Sequence, residues 1–191
     1  LLKIDRGFIF DIMTNKANLD KELNITINNE TFERIPLKTH VVMADDNILE
    51  VVKKYADASL KDNDILFVTE KIVAITQGRA YPLKDIKPRK LAYTLSNYVT
   101  KTPHGIGLGM PETMEMALRE CGTPRILFAS AVAAVGKVLG RKGDFYNVAG
   151  YKARSIDGPT NGTIPPYNEY VVLGPLNPDQ VALDIKAQFT Q

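Results

Sequence analysis

The sequence holds one cysteine, two histidines, no tryptophan and no long apolar run, and each shortage removes a class of protein. Cys121 alone cannot close an internal disulfide. A chain of 191 residues does not need one, because folding at that size buries roughly 70% of the surface of the unfolded chain. Cys121 is also expected near a helix C-terminus, where the dipole disfavours a thiolate, so it is not read as a nucleophile. His40 and His104 fall in neither a His-x-x-x-His nor a Cys-rich spacing, which argues against a structural zinc site. No stretch approaches the roughly 20 apolar residues of a transmembrane helix. The opening LLKIDRGFIFDIM carries charges where a signal peptide needs an apolar core. Lys and Arg number 24 against 22 Asp and Glu, a formal charge of +2 that implies no nucleic-acid or membrane partner. A cytoplasmic location is expected, and the Asn-x-Ser/Thr patterns at Asn24, Asn29 and Asn161 carry no weight there.

What remains is 45% hydrophobic, with 13 Gly and 11 Pro, the composition of one globular domain with a small appendage. Residues 4–36 alternate polar and apolar side chains, and NITIN and TFERI flank Asn28, Asn29 and Glu30 as the arms of a β-hairpin. From Asn47 the apolar residues Ile48, Leu49, Val51, Val52 and Tyr55 take helical spacing, with Asp45 or Asp46 as the cap and an end near Ala58. ILFVT reads as a strand buried on both faces. A helix is expected over LAYTLSNYV, and another from Pro111 to Glu120 that stops at Gly122. RILFA reads as a short buried strand, followed by an Ala/Val-rich helix to about Leu139 with Ala131, Val132, Ala134 and Val135 on its buried face. IDGPTNGTIPPYNEY is a long turn-rich loop. YVVLG is then a strand and PDQVALDIKAQF a closing helix. The alternation predicts an α+β fold, a mixed sheet with packed helices, divided into an N-terminal hairpin extension (1–34) and an α+β domain (35–191).

Several short motifs bear on chemistry. HGIGLGMPE runs into a helix start, a geometry in which backbone N–H groups can hold an anion. Its glycines are spaced Gly-x-Gly-x-Gly and follow a helix, so it is not a dinucleotide fingerprint. AVAAVGKV has Ala131 where a P-loop needs its first glycine and Val138 where it needs a hydroxyl, which excludes that motif. GRKGDF places Arg141 and Lys142 in a turn before Asp144, either an anion site with a carboxylate or a solvated turn. Asp157, before Gly158 and Pro159, is either an Asx-turn residue or a hard-oxygen metal ligand. Glu70 and Lys71 follow the apolar run, at the C-terminal end of the expected strand, where α/β sheets place ligand-binding residues.

PLKTHVVMADDNILEVVKKY, LKDNDILFVTEKIVAITQGRAYPL, RILFAS and FYNVAG together resemble the coenzyme F-420 gamma-glutamyl ligases over about Ile35 to Gly174. The resemblance implies a distinctive α+β fold, an intertwined homodimer, and a reaction in which GTP and a divalent metal (Mn or Mg) activate a carboxylate as an acyl phosphate for attack by the amine of glutamate. It places Glu70 and Lys71 at the nucleotide. Arg141 and Lys142 are the residues offered for phosphate, and Asp144 and Asp157 for the metal. Two family features are replaced: a Ser-Lys pair by Ala74-Ile75, and an Asp-Thr-Phe-Gly-Arg-Pro-Trp-Arg stretch by ASAVAAVGKVLGRKGDF, with Ser130 near the position of its aspartate. Two other expectations stay open: a non-catalytic anion- or nucleotide-binding or regulatory domain, and a dimeric interaction module whose hairpin pairs with a partner edge.

Overall fold

The computed structural model describes residues 22–99, 106–160 and 162–189. His104, Asn161 and the start of the expected N-terminal β layer lie outside them. Among the described residues the chain is α+β, with the helices supplying most of the core.

The hairpin forms as read. β1 (Asn24–Ile27) pairs antiparallel with β2 (Glu30–Glu33), and Asn28 and Asn29 at the turn take φ values of 52° and 68°. Both central residues of a type I′ turn need positive φ, and Asn tolerates that better than other non-glycine residues. Ile25 faces Phe32, and Ile27 shares their side of the ribbon.

Helix α1 (Ile48–Ala56) is capped by Asn47, whose side chain accepts from Leu49 N–H, and not by the aspartates before it. Asp46 instead accepts from Met43 N–H and pairs with His40, whose other ring nitrogen meets the Tyr55 hydroxyl at 2.9 Å. The long expected strand is not formed. Ile65–Val68 has no strand partner among the described residues, and Glu70 opens helix α2 (Glu70–Thr76) where the end of a strand was expected. β3 (Ala80–Pro82) follows and pairs antiparallel with β4 (Tyr170–Val172), and Asp157 extends that ladder by a bridge to Val172. In place of the expected mixed sheet, the described residues form two separate antiparallel pairs.

The middle of the chain is helical: α3 (Lys90–Ser96), α4 (Pro111–Cys121), α5 (Thr123–Val138), α6 (Asp144–Ala149) and α7 (Tyr151–Arg154), with α8 (Pro178–Ala187) at the end. RILFA lies inside α5, a correction with a physical cause: Pro124 sits in the first turn of that helix, where a proline's missing N–H costs nothing. The buried face of α5 is Ile126, Ala129 and Gly136. Ala131, Ala134 and Val135, expected inside, are exposed. The main core gathers Leu108, Met114, Leu118, Ile126, Val171 and their neighbours, and a smaller cluster of Val52, Ala56 and Ile185 joins α1 to α8. No helix among the described residues is long and apolar enough to cross a membrane.

One side chain links three elements. Arg79 donates from Nε to Gly174 C=O and from Nη2 to Glu120, while its N–H reaches Ala74 C=O and its C=O accepts from Leu173 N–H.

Candidate functional site

Lys71 in the first turn of α2 points at the loop before β4. Its Nζ donates to Asp157 Oδ2 at 2.6 Å, with the lysine side chain 29% and the aspartate 48% exposed. Asp157 is held by two backbone hydrogen bonds with Val172, so its carboxylate projects from a fixed ladder. The next residue, Gly158, packs on the first turn of α4: a Cβ there would come within 2.9 Å of Thr113 Cγ2 and 3.7 Å of Met110 Sδ. That helix begins at Met110 without a side-chain cap, and Pro111 carries no N–H. The IGLG segment and the Lys71–Asp157 pair are thereby neighbours through Gly158, a relation that sequence spacing did not reveal.

The approach to the pair carries further polar groups. Tyr151 lies close to Ser155 and Glu70. Burial pushes its phenol up, and the Glu70 and Asp179 carboxylates push the same way against the Ser155 hydrogen bond. Glu70 is exposed. Tyr146, whose hydroxyl lies against Gly107, has its phenol raised by burial, against the opposing pull of the Leu108 backbone and Arg154. Gly107 has φ of 51°, so the loop takes a left-handed bend there that a Cβ would strain.

The second predicted set is elsewhere in the contact network. Arg141 Nη2 donates to Asp144 Oδ1 at 3.0 Å, and Lys142 is exposed. Asp144 is buried at the start of α6 against Gly136 of α5. Among the described residues, no hydrogen bond or ion pair joins Arg141, Lys142 or Asp144 to Glu70, Lys71 or Asp157. No group of three or more His, Cys, Asp or Glu side chains among them is spaced to hold a metal ion. Asp157 keeps Oδ1 outside its ion pair. That fits a hard divalent cation shared with nucleotide phosphates, which takes one or two carboxylates, and does not fit an all-protein cage.

Sequence reading missed one buried carboxylate of α4. Glu115 is 2% exposed and accepts from Arg89 N–H, Arg89 Nε and Arg119 Nε. The Glu115–Arg119 spacing of four residues was the available signal. Glu120 likewise takes Arg79 and Lys152. Cys121 is half-buried, and burial with the adjacent Glu120 pushes its thiol up, away from thiolate chemistry.

Neither a curated protein nor a solved structure matches the chain. The family model for F420-0:gamma-glutamyl ligase matches residues 36–191, which take in α1 through α8 and every residue of the site. With a match of that extent, the chain belongs to the F420-0:gamma-glutamyl ligase family.

Proposed function

We propose that the protein forms an amide bond by nucleotide-dependent activation of a carboxylate, with Lys71 and Asp157 at the nucleotide. The observation that carries this reading is the 2.6 Å Lys71–Asp157 pair beside the uncapped start of α4, within a chain of this family. A cationic side chain and helix-start N–H groups are what a polyphosphate requires. In the proposed step a terminal phosphoryl group moves from GTP to a carboxylate oxygen, and GDP leaves. An amine then attacks the acyl carbon, phosphate departs, and the amine proton passes to a carboxylate, for which exposed Glu70 is available. Lys71 leaves Asp157 to hold phosphate oxygens, and Asp157 so released serves the divalent cation that accompanies the nucleotide. A bound Mn or Mg would neutralise phosphate charge.

Arg141 is already occupied by Asp144, so it contributes to this reading only if that pair opens, and Lys142 is the freer cation of the turn. Self-association belongs to the same reading. α5 exposes Leu127, Phe128, Val135 and Val138, and Leu139 continues the apolar face, whose groove of about 280 Å³ ends at Arg141 and Asp144. A contiguous apolar helix face of this kind suits a second copy.

Calorimetric titration with GTP, GDP and ATP in the presence of Mn²⁺ tests the reading. Binding of a guanine nucleotide that depends on Lys71 supports it, and no heat at millimolar nucleotide sinks it.

A further inference from the structure

Arg89 and Arg119 converge on one carboxylate. Arg89 Nε reaches Glu115 Oε1 at 3.1 Å and Arg119 Nε reaches the same oxygen at 2.9 Å, so the two guanidinium groups are held side by side. One comes from the residue before α3 and the other from the second half of α4. Glu115 is 2% exposed, whereas the two arginine side chains are 50% and 48% exposed. The buried acid therefore orients both forks and leaves much of each in water. Their remaining donors are poorly used. Arg89 Nη1 meets Thr123 Oγ1 and Arg119 Nη2 meets the Lys87 C=O, both at 3.4 Å, longer than the usual N–H···O spacing of about 2.9 Å. Arg89 Nη2 and Arg119 Nη1 make no hydrogen bond among the described residues. Charge is also in surplus. Exposed Lys87 and Lys90 flank Arg89, while Lys84 and Asp85 cancel just before them. The excess of Lys87, Arg89, Lys90 and Arg119 over Glu115 is larger than the formal +2 of the whole chain.

We propose that Arg89 and Arg119 form a phosphate-binding clamp, separate from the Lys71–Asp157 pair. A guanidinium presents a planar fork of N–H donors that matches phosphate oxygens, and two forks on one buried acid are pre-organised to take different oxygens of the same group. A phosphate dianion answers the surplus charge, whereas a carboxylate brings one charge and two oxygens. Its oxygens replace the two 3.4 Å contacts with charge-assisted bonds, so occupancy fastens the Lys87–Arg89 stretch to α4. Among the described residues no hydrogen bond or ion pair joins Arg89 or Arg119 to Lys71 or Asp157. The clamp stands whether or not the protein is a ligase.

NMR of the arginine Nε–H groups, followed as the full chain is titrated with inorganic phosphate at constant ionic strength, tests it. The expected result is a saturable shift of the Arg89 and Arg119 signals with a midpoint below about 1 mM. Read at Arg89, Arg119→Gln raises that midpoint at least about tenfold, and Arg119→Lys, which keeps the charge without the fork, falls between. Lys71→Met leaves it unchanged. Lys87→Gln with Lys90→Gln alters exposed side chains outside the Glu115 network, so it tests the clamp without removing a bond of the fold, and it raises the midpoint severalfold. Shifts that do not saturate, shifts that chloride reproduces, or an unchanged midpoint in Arg119→Gln overturn the proposal. So does loss of the shifts in Lys71→Met, which merges the clamp with the nucleotide site. Glycerol phosphate separates the two sources of the group: tighter binding than inorganic phosphate supports a site for a phosphorylated molecule, and equal or weaker binding supports one for free phosphate.

Discussion

Lys71 Nζ and Asp157 Oδ2 meet at 2.6 Å across 86 residues of sequence, and among the described residues neither has a second ion pair. Both side chains reach solvent, so the pair stabilises the protein by about 1 kcal/mol at most. Asp157→Asn is expected to shift the urea midpoint only slightly. Lys71→Met is expected to weaken guanine-nucleotide binding about tenfold, some 1.4 kcal/mol, by calorimetry. A Lys71→Met protein that binds as the parent does removes Lys71 from the nucleotide site.

Glu115 is a different kind of charge. Its carboxylate is buried, and the guanidinium groups of Arg89 and Arg119 are half-exposed, so those cations can return to water when the acid is lost. Glu115→Gln should cost about 2 kcal/mol in urea unfolding, the scale of hydrogen bonds to a charged group. Glu115→Ala should cost more, since it also leaves a cavity and the Arg89 N–H without its acceptor.

Acid sensitivity follows from the same residue. Burial pushes the Glu115 carboxyl up, but hydrogen bonds from the Arg89 backbone and from the Arg119 and Arg89 side chains outweigh it, and the net direction is down. Asp46 is also lowered, by the Met43 N–H and by His40. A carboxyl held below its unfolded value contributes stability that is fully present above that value, about 4.3 for Glu and 3.9 for Asp. This stability is lost as pH falls through the folded value. Urea midpoints should therefore hold between pH 7 and about 5 and fall below about pH 4, with a shallower fall in Glu115→Gln. An equally steep fall in that variant would assign the acid response to other groups.

Gly136 is required by its neighbour. A Cβ there would collide with the Asp144 carboxylate, so Gly136→Ala should destabilise by about 1 to 3 kcal/mol. In the background of Asp144→Ala the same change should be nearly neutral. A double-mutant cycle in urea measures the coupling, and additive costs would mean that the clash is relieved elsewhere.

Phe128 tests the exposed face of α5. It is 64% exposed, so Phe128→Asp should alter stability by no more than about 0.5 kcal/mol while lowering the mass seen by light scattering if that face joins two copies. An unchanged mass removes α5 from the interface.

Local signals carried far in this sequence. Asn28-Asn29 specified the hairpin turn, the spacing of Ile48, Leu49, Val51, Val52 and Tyr55 specified α1, and Pro111 with Gly122 set both ends of α4. RILFA and ILFVT defeated the reading for a common reason: a short apolar run satisfies strand and helix equally, and neighbours decide. For RILFA the neighbour was Pro124, visible in the sequence. For ILFVT it was the lack of a pairing partner among the described residues, which no local pattern encodes. The site was legible as residues and not as an arrangement. Lys71 and Asp157 stood out singly, whereas their meeting, the packing of Gly158 on α4 and the burial of Glu115 depend on contacts between distant parts of the chain.

The four bonds of Arg79 give α2 the mechanics of a lever. Just beyond the last turn of the helix, Gln77 and Arg79 fasten the chain to Leu176, Gly174 and Glu120, whereas at its first turn Lys71 is held through its exposed ion pair with Asp157. Release of that pair is therefore expected to move the Lys71 end first, with the bonds of Arg79 holding the other. A ligand that takes Lys71 from Asp157 is thus expected to move the residues that follow Val68 while the β3–β4 ladder stays paired.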